Sequence, residues 1–351
     1  MVKSRTTIAT PPGATIKEQL IDRGMSQKEF ASRMAMTEKH ISRLINGDVQ
    51  LTPDVAVRLE MVLGIPASFW CNLEAIYREK LAKAIAENEM EDDKELLRKY
   101  PYNEMVKNGW IEAATRAEDK VICLRKFFEV VRLSLVSKNG ITKIACRRVS
   151  DSEKADYALL AWAQRAKIEA RGRIVSPINI SALQASLNQI RSMTKKDPTV
   201  FCPELTGLLA GCGVALVFLP HIGGSFLHGA SFYDGDKIVV GLTVRGKDAD
   251  RFWFSLFHEL GHIVLGHINK IDGTNDEDEI SADAFASDTL IPQDSLLRFM
   301  SAHVGAYNKR AIIDYADSIG IDAGIVVGRL QKEGAIRYDW FNDLKTKYVM
   351  V

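Results

Sequence analysis

The sequence predicts a multidomain protein with an all-α bundle at the N-terminus, a helical middle region and an α+β domain at the C-terminus. Three observations carry that reading. Residues 15–65 repeat apolar positions at helical spacing between short polar breaks. Residues 214–242 hold runs of β-branched and aromatic residues around an Asp234-Gly235-Asp236 turn. His258-Glu259-Leu260-Gly261-His262 puts two histidines four positions apart, on one face of a helix. These changes of pattern divide the chain into residues 1–75, 76–195 and 196–351.

At 351 residues, 46% hydrophobic and 26% charged, the composition is that of an ordinary globular protein long enough for two or three domains. No apolar run reaches the length of a membrane span, and Met1 to Thr10 lacks the apolar core of a signal peptide. A cytoplasmic protein without a membrane partner is therefore expected. The five cysteines (Cys71, Cys123, Cys146, Cys202 and Cys212) are an odd number with no C-x-x-C pair. Neither a disulfide framework nor a cysteine zinc site is expected of them.

In the first segment, Ser26-Gln27-Lys28-Glu29 reads as a capping box opening a helix with Phe30, Ala31 and Met34 inward. A turn leads to Thr37, which caps the next helix, Glu38 to Ile45. That helix buries Ile41, Leu44 and Ile45, presents Glu38, Lys39, Ser42 and Arg43 outward, and stops at Asn46-Gly47. A second helix of this length with basic and hydroxyl side chains outward fits a helix-turn-helix whose recognition helix enters the major groove of double-stranded DNA. Lys39 and Arg43 are the candidate base or phosphate contacts, with Ser42 beside them and Gln27 as a backbone contact. The solvated face of a plain helical bundle has the same polar pattern. Residues 1–70 carry nine Lys or Arg against seven Asp or Glu, only +2, so tight binding calls for a homodimer.

The middle region reads as mainly helical. Glu74 to Lys99 is a charged helix ending near Tyr100-Pro101, and Trp110-Ile111, Leu124 to Leu135, Tyr157 to Trp162 and Ser181 to Met193 supply apolar faces for others. Helical periodicity leaves open whether this is a spacer, a dimerisation element or a lid. In the third segment Val214 to Leu219 is a strand, and Ala230 to Tyr233 and Lys237 to Leu242 form a hairpin. Tyr315 to Asp322 and Ile325 to Leu330 read as a helical hairpin packed on the same core.

The histidine pair carries the chemistry. Both imidazoles can bind one Zn²⁺, with Glu259 beside them to deprotonate water. With seven His and 45 acids in 351 residues, fewer than roughly 0.02 such matches are expected by chance. A catalytic zinc takes three protein ligands, so a third donor is expected downstream. The metzincin spacing fails, because Leu265 and Ile268 stand where it needs Gly and His. His267, nine residues after His258, falls on the far side of a continued helix. Glu279 and Asp283, one helical turn apart, serve better: Glu279 could ligate the metal while Asp283 accepts the second N–H of a ligating histidine. Ile280, Ala284, Phe285 and Ala286 place that helix against the first. His228 and Tyr233 are the nearest groups upstream that could polarise a scissile carbonyl.

Two family resemblances follow. Ser26-Gln27-Lys28-Glu29-Phe30-Ala31, Ile41 to Gly47 and Leu63-Gly64-Ile65-Pro66 resemble the XRE/HigA-type antitoxin helix-turn-helix family, over about the first 75 residues. Glu38, an acid in the recognition helix, departs from a basic pattern. The His258 to His262 motif, Glu279-x-x-Ala282-Asp283-x-Phe285-Ala286, Leu290-Ile291-Pro292 and Gly328-Arg329-Leu330-Gln331 resemble the ImmA/IrrE family of metallopeptidases with a gluzincin-like site. That resemblance implies zinc on His258, His262 and Glu279, Glu259 as catalytic base, and a protein substrate such as a repressor or antitoxin in stress response or mobile-element control. The expectation is a DNA-binding regulator fused to a zinc endopeptidase acting on a partner or on itself. The competing expectation is a non-proteolytic HigA-like antitoxin or repressor, with a toxin as possible partner and a structural or sensory zinc site.

Overall fold

The computed structural model of the protein describes residues 2–138, 153–223, 228–243, 248–269 and 274–348; Cys146 lies outside them. The chain divides into two compact units, Met1–Glu95 and Leu96–Val351. Among the described residues no helix is long and apolar enough to cross a membrane.

The first unit opens with a short antiparallel ribbon, β1 (Val2–Lys3) and β2 (Ile8–Ala9), followed by α1 (Gly13–Asp22), α2 (Gln27–Arg33), α3 (Glu38–Asn46), α4 (Pro53–Leu63) and α5 (Ala67–Leu97). Local chemistry sets the helix starts: Ser26, Thr37 and Thr52 each accept a bond from the backbone N–H three residues on. The capping box is only half made. Glu29 N–H donates to Ser26, but the Glu29 carboxylate turns to Arg33 at 2.6 Å, because a cation one turn on is the stronger partner. Gly47 ends α3 at φ 79°. Ile16, Phe30, Ile41, Leu59 and Trp70 are buried together, with Ile45 partly buried beside them. α1 meets the end of α3 closely, since a Cβ on Gly13 would lie 1.9 Å from the Ile45 carbonyl oxygen. α5 begins seven residues before the expected Glu74, and position 75 lies within it.

The second unit runs α6 (Tyr102–Lys107), α7 (Ala117–Phe128), α8 (Ser134–Lys138), α9 (Glu153–Arg171), α10 (Ile180–Ser192) and α11 (Pro198–Gly211) into a sheet of β3 (Val214–Leu219), β4 (Gly229–Asp234) and β5 (Lys237–Thr243). Then come α12 (Ala249–Val264), α13 (Asp276–Leu290), α14 (Gln293–Ala302), α15 (Lys309–Ile319) and α16 (Ala323–Lys332). The strand order is β3-β5-β4, with β5 parallel to β3 and antiparallel to β4. Strand alternation gives β5 two apolar faces. Ile238, Val240 and Leu242 join the core formed with Trp253, Leu256 and Leu260 of α12. Gly241, on the opposite face, receives Trp162 of α9, whose ring would lie 2.4 Å from a Cβ at that position. The sheet is thus covered by helices from both sides.

Three expectations are corrected. Trp110-Ile111 lies in a bend after Gly109, not in a helix. The run Leu124 to Leu135 breaks at Glu129, whose left-handed backbone caps α7. On α13, Ile280 is 68% exposed and Ala284 is exposed, while Glu279, Ala282, Ala286 and Leu290 are buried. That stripe has helical spacing, so the packing face is set by position and not by the most apolar residues. The terminal hairpin is as expected: Ile312 and Ala316 of α15 and Ile325, Val326 and Leu330 of α16 enter the same core.

Candidate functional site

The α12 helix supplies His258, Glu259 and His262, and α13 supplies Glu279 and Asp283. α13 is anchored by a complete capping box between Asn275 and Asp278, the residue just before Glu279. Gly261 lets the two helices close: a Cβ there would already touch Phe285 at 3.0 Å and the Ala282 backbone at 3.4 Å.

Three ligand atoms converge. The His258 and His262 Nε2 atoms are 3.0 Å apart, with Glu279 oxygens 3.3 Å from the first and 3.5 Å from the second. A tetrahedral metal with bonds of about 2.0–2.1 Å holds its ligand atoms about 3.3 Å apart, so the three residues fit one ion. Glu279 Oε2 is buried and faces His258 Nε2 at 3.3 Å, while Oε1 accepts from Thr274 Oγ1 at 3.0 Å. The His258 side chain keeps 14% exposure and His262 none, so the centre opens on the His258 side.

Each imidazole is held from behind. His258 Nδ1 lies 2.9 Å from Asp283 Oδ1, and the other Asp283 oxygen lies 3.7 Å from Lys332 Nζ. His262 Nδ1 lies 3.0 Å from His267 Nδ1, and His267 Nε2 faces Ser281 Oγ at 3.4 Å and Asp278 Oδ1 at 3.6 Å. With N–H on Nδ1, both histidines turn the Nε2 lone pair inward. Sequence reasoning missed His267 in this role. It assumed an unbroken helix, whereas α12 stops at Val264 and Gly266, at φ 78°, turns the chain back. The glycine immediately before His267 was the available signal.

The electrostatics fit a cation. Burial disfavours charge on His258, but hydrogen bonds to Asp283 and Glu279 and the nearby Glu259 charge outweigh it and raise its pKa to about 10. Burial likewise resists charge on Glu279, yet the two histidines hold it below the usual carboxylate range. Glu259, 3% exposed, is shifted upward by burial, with the histidines only partly opposing. Its Oε2 has no hydrogen-bond partner, and its Cγ would lie 2.8 Å from a Cβ on Gly229, so the start of β4 is seated against it. Of the two upstream candidates, His228 directly precedes Gly229 and lines a cavity with Phe254 and Ser255 of α12. Tyr233 sits at the turn end of β4, four residues from Gly229 and 41% exposed. At ~3.4 Å per residue that is ~14 Å away along the strand, and the structure does not bring it to the cluster.

In the first unit Lys39 and Arg43 are exposed one turn apart on α3, Ser42 is partly exposed between them, and Glu38 and Gln27 are exposed. Lys39, Ser42 and Arg43 share one face by the i, i+3, i+4 rule.

A helix-turn-helix unit followed by a unit built around a two-histidine, one-carboxylate cluster defines a class: regulators that carry a peptidase-type domain. Comparison with known proteins agrees at both ends. Residues 16–70 match the helix-turn-helix family model, and residues 227–312 match the IrrE N-terminal-like domain of the M78 peptidases. The chain is also similar to the HTH-type transcriptional regulator YddM of Escherichia coli strain K12, at 38% identity over 63 residues, covering 18% of this chain and 67% of that protein. The chain belongs to the helix-turn-helix family of transcriptional regulators and carries an IrrE-like M78 peptidase domain.

Proposed function

We propose that the protein is a DNA-binding transcriptional regulator whose second unit is a zinc-dependent endopeptidase. The observation that carries this is the convergence of His258, His262 and Glu279 at tetrahedral spacing with a buried, unpartnered Glu259 oxygen beside them. When bound, zinc supplies Lewis acidity that makes water nucleophilic and a peptide carbonyl electrophilic. Glu259 takes the proton of the attacking water and hands it to the departing amine, a role its burial favours by keeping its proton affinity high. Asp283 and His267 hold the two imidazoles in the ligating tautomer. The substrate is a repressor- or antitoxin-type protein, or this chain itself, and its cleavage relieves repression in stress response or mobile-element control. Lys39, Ser42, Arg43 and Gln27 contact an operator in double-stranded DNA, with a homodimer serving paired half-sites.

One observation favours the alternative of a non-proteolytic, HigA-like regulator with a structural or sensory zinc and a toxin partner: Glu259 is almost sealed from solvent. Replacing Glu259 with Gln separates the two. Loss of derepression in cells with zinc content intact is the proteolytic result. Unaltered derepression leaves the metal as structure or sensor.

A further inference from the structure

The three-stranded sheet turns one face to α12 and the other to α9. Register decides which residues of β4 look toward α12. Gly229 pairs with Leu242 and Ser231 with Val240, and directly paired residues point to the same side of a sheet. Val240 and Leu242 lie in the core shared with Trp253, Leu256 and Leu260 of α12, so Gly229 and Ser231 face that helix too. The other strands give this face Val214, Leu216, Phe218, Ile238, Val240 and Leu242. Among the described strand residues Ser231, at 0% exposure, is the one fully buried polar side chain on it. An alanine would fill the same space, and a hydroxyl enclosed by aliphatic side chains is unfavourable unless it bonds.

What α12 sets against the start of β4 is Glu259. Its Cγ and Oε1 would lie 2.8 Å and 2.9 Å from a Cβ on Gly229, and Ser231 follows on the same face one strand repeat, about 6.8 Å, further along. Ser231 Oγ and Glu259 Oε2 are each buried without a completed hydrogen bond; one can donate and the other can only accept. Burial raises the Glu259 pKa, and after the two histidines it is the Ser231 hydroxyl that draws it back, an influence that requires hydroxyl and carboxylate to be neighbours. Packing alone does not aim this carboxylate. The Gly229 contact fixes Glu259 near Cγ, but rotation about the last bond of a glutamate side chain is soft, with broad minima. A base that must meet water from a set direction needs one oxygen held so that the other is aimed. Ser231 sits on a strand paired along its length with β5, and its hydroxyl hydrogen can swing to the nearer oxygen.

We propose that Ser231 is a positioning residue for Glu259: its hydroxyl donates to one carboxylate oxygen and keeps the other turned toward the cluster of His258, His262 and Glu279. The purpose of that hydrogen bond rests on the proteolytic reading above. Its existence is measurable without turnover.

The probe is acetohydroxamic acid, which on meeting zinc passes its hydroxyl proton to an adjacent carboxylate, so its affinity reads how well Glu259 is aimed. Binding to the full-length, zinc-loaded protein is measured by titration calorimetry for wild type, Ser231→Ala, Glu259→Ala and the double variant, with zinc content and melting temperature recorded for each. Glu259→Ala is expected to weaken the probe at least tenfold. Ser231→Ala is expected to weaken it at least fivefold while Glu259 is present and less than twofold once Glu259 is gone, with zinc stoichiometry unchanged, because a residue acting through Glu259 then has nothing left to hold. Ser231→Cys keeps the size and weakens the donor; it is expected to give the same pattern and replaces Ser231→Ala if that variant does not fold. A loss of equal size in both backgrounds marks Ser231 as structural and overturns the proposal, as does no loss, or a probe that binds none of the proteins. If derepression in cells survives Glu259→Gln, the proteolytic reading falls, and the same cycle still decides whether Ser231 holds Glu259.

Discussion

Glu259 is fully enclosed, and His258 and Glu279 beside it hold opposite charges in the metal-free protein, so single atoms decide what this centre does. Glu259→Gln keeps the shape and loses the proton carrier; turnover is expected to fall about 10²–10⁴-fold with stoichiometric zinc retained by metal analysis. His267→Ala leaves His262 Nδ1 without its partner, and a 10–100-fold weaker zinc affinity is expected by competition with a chromophoric chelator. The pH dependence follows from the two shifts. The His258 pKa is raised, so its contribution to stability is complete below ~6.5 and is lost as pH climbs toward about 10. Glu279 is depressed, so its contribution is complete above ~4.3 and is lost as pH falls below that. Metal-free protein is therefore expected to melt highest near pH ~5–6. Zinc must displace the His258 proton, so its affinity is expected to rise with pH and its uptake to release protons, measured by titration calorimetry in buffers of different ionisation enthalpy.

Among the elements, α3 offers the test of DNA reading. Arg43→Ala is expected to weaken binding to the protein's own upstream region; loss of a phosphate contact reduces the slope of log K against log salt by about 0.9. Loss of a base contact instead costs about 1–3 kcal/mol and relaxes sequence preference. Binding unchanged in both respects would remove Arg43 from the interface. What the sequence made legible at this scale was whatever short-range periodicity controls. Four-residue spacing put His258 and His262 on one face, Thr37 and Gly47 bounded α3, and alternation around Asp234-Gly235-Asp236 marked the hairpin. What stayed illegible depended on chain reversals and on packing from distant segments. His267 returns to the site only because Gly266 adopts a left-handed backbone, and Ile280 faces water because α13 docks through Glu279, Ala282 and Ala286. The partner of Gly241 is Trp162, seventy-nine positions earlier, which no local pattern could name.

For the whole molecule, the His258, His262 and Glu279 cluster lies in the second unit, and the five tryptophans divide between the two: Trp70 reports the first unit, while Trp110, Trp162, Trp253 and Trp340 report the second. Chelation is expected to lower the melting transition seen by the latter and leave that of Trp70 unmoved, since a ligand present at 100 times its Kd stabilises only the unit that binds it, by about 2.7 kcal/mol. Coincident shifts in both would refute independent units. The α12 helix has one further tie. Trp253 donates its indole N–H to the Tyr348 hydroxyl at 2.9 Å, and Ala249 N–H donates to the Thr346 carbonyl at 2.9 Å. The first turns of the histidine-bearing helix are thus fastened by residues some ninety-five positions later, a contact of long sequence separation whose closure costs chain entropy. On the proposed peptidase reading, the proteolytic centre is complete only once residues 346–348 have docked on α12.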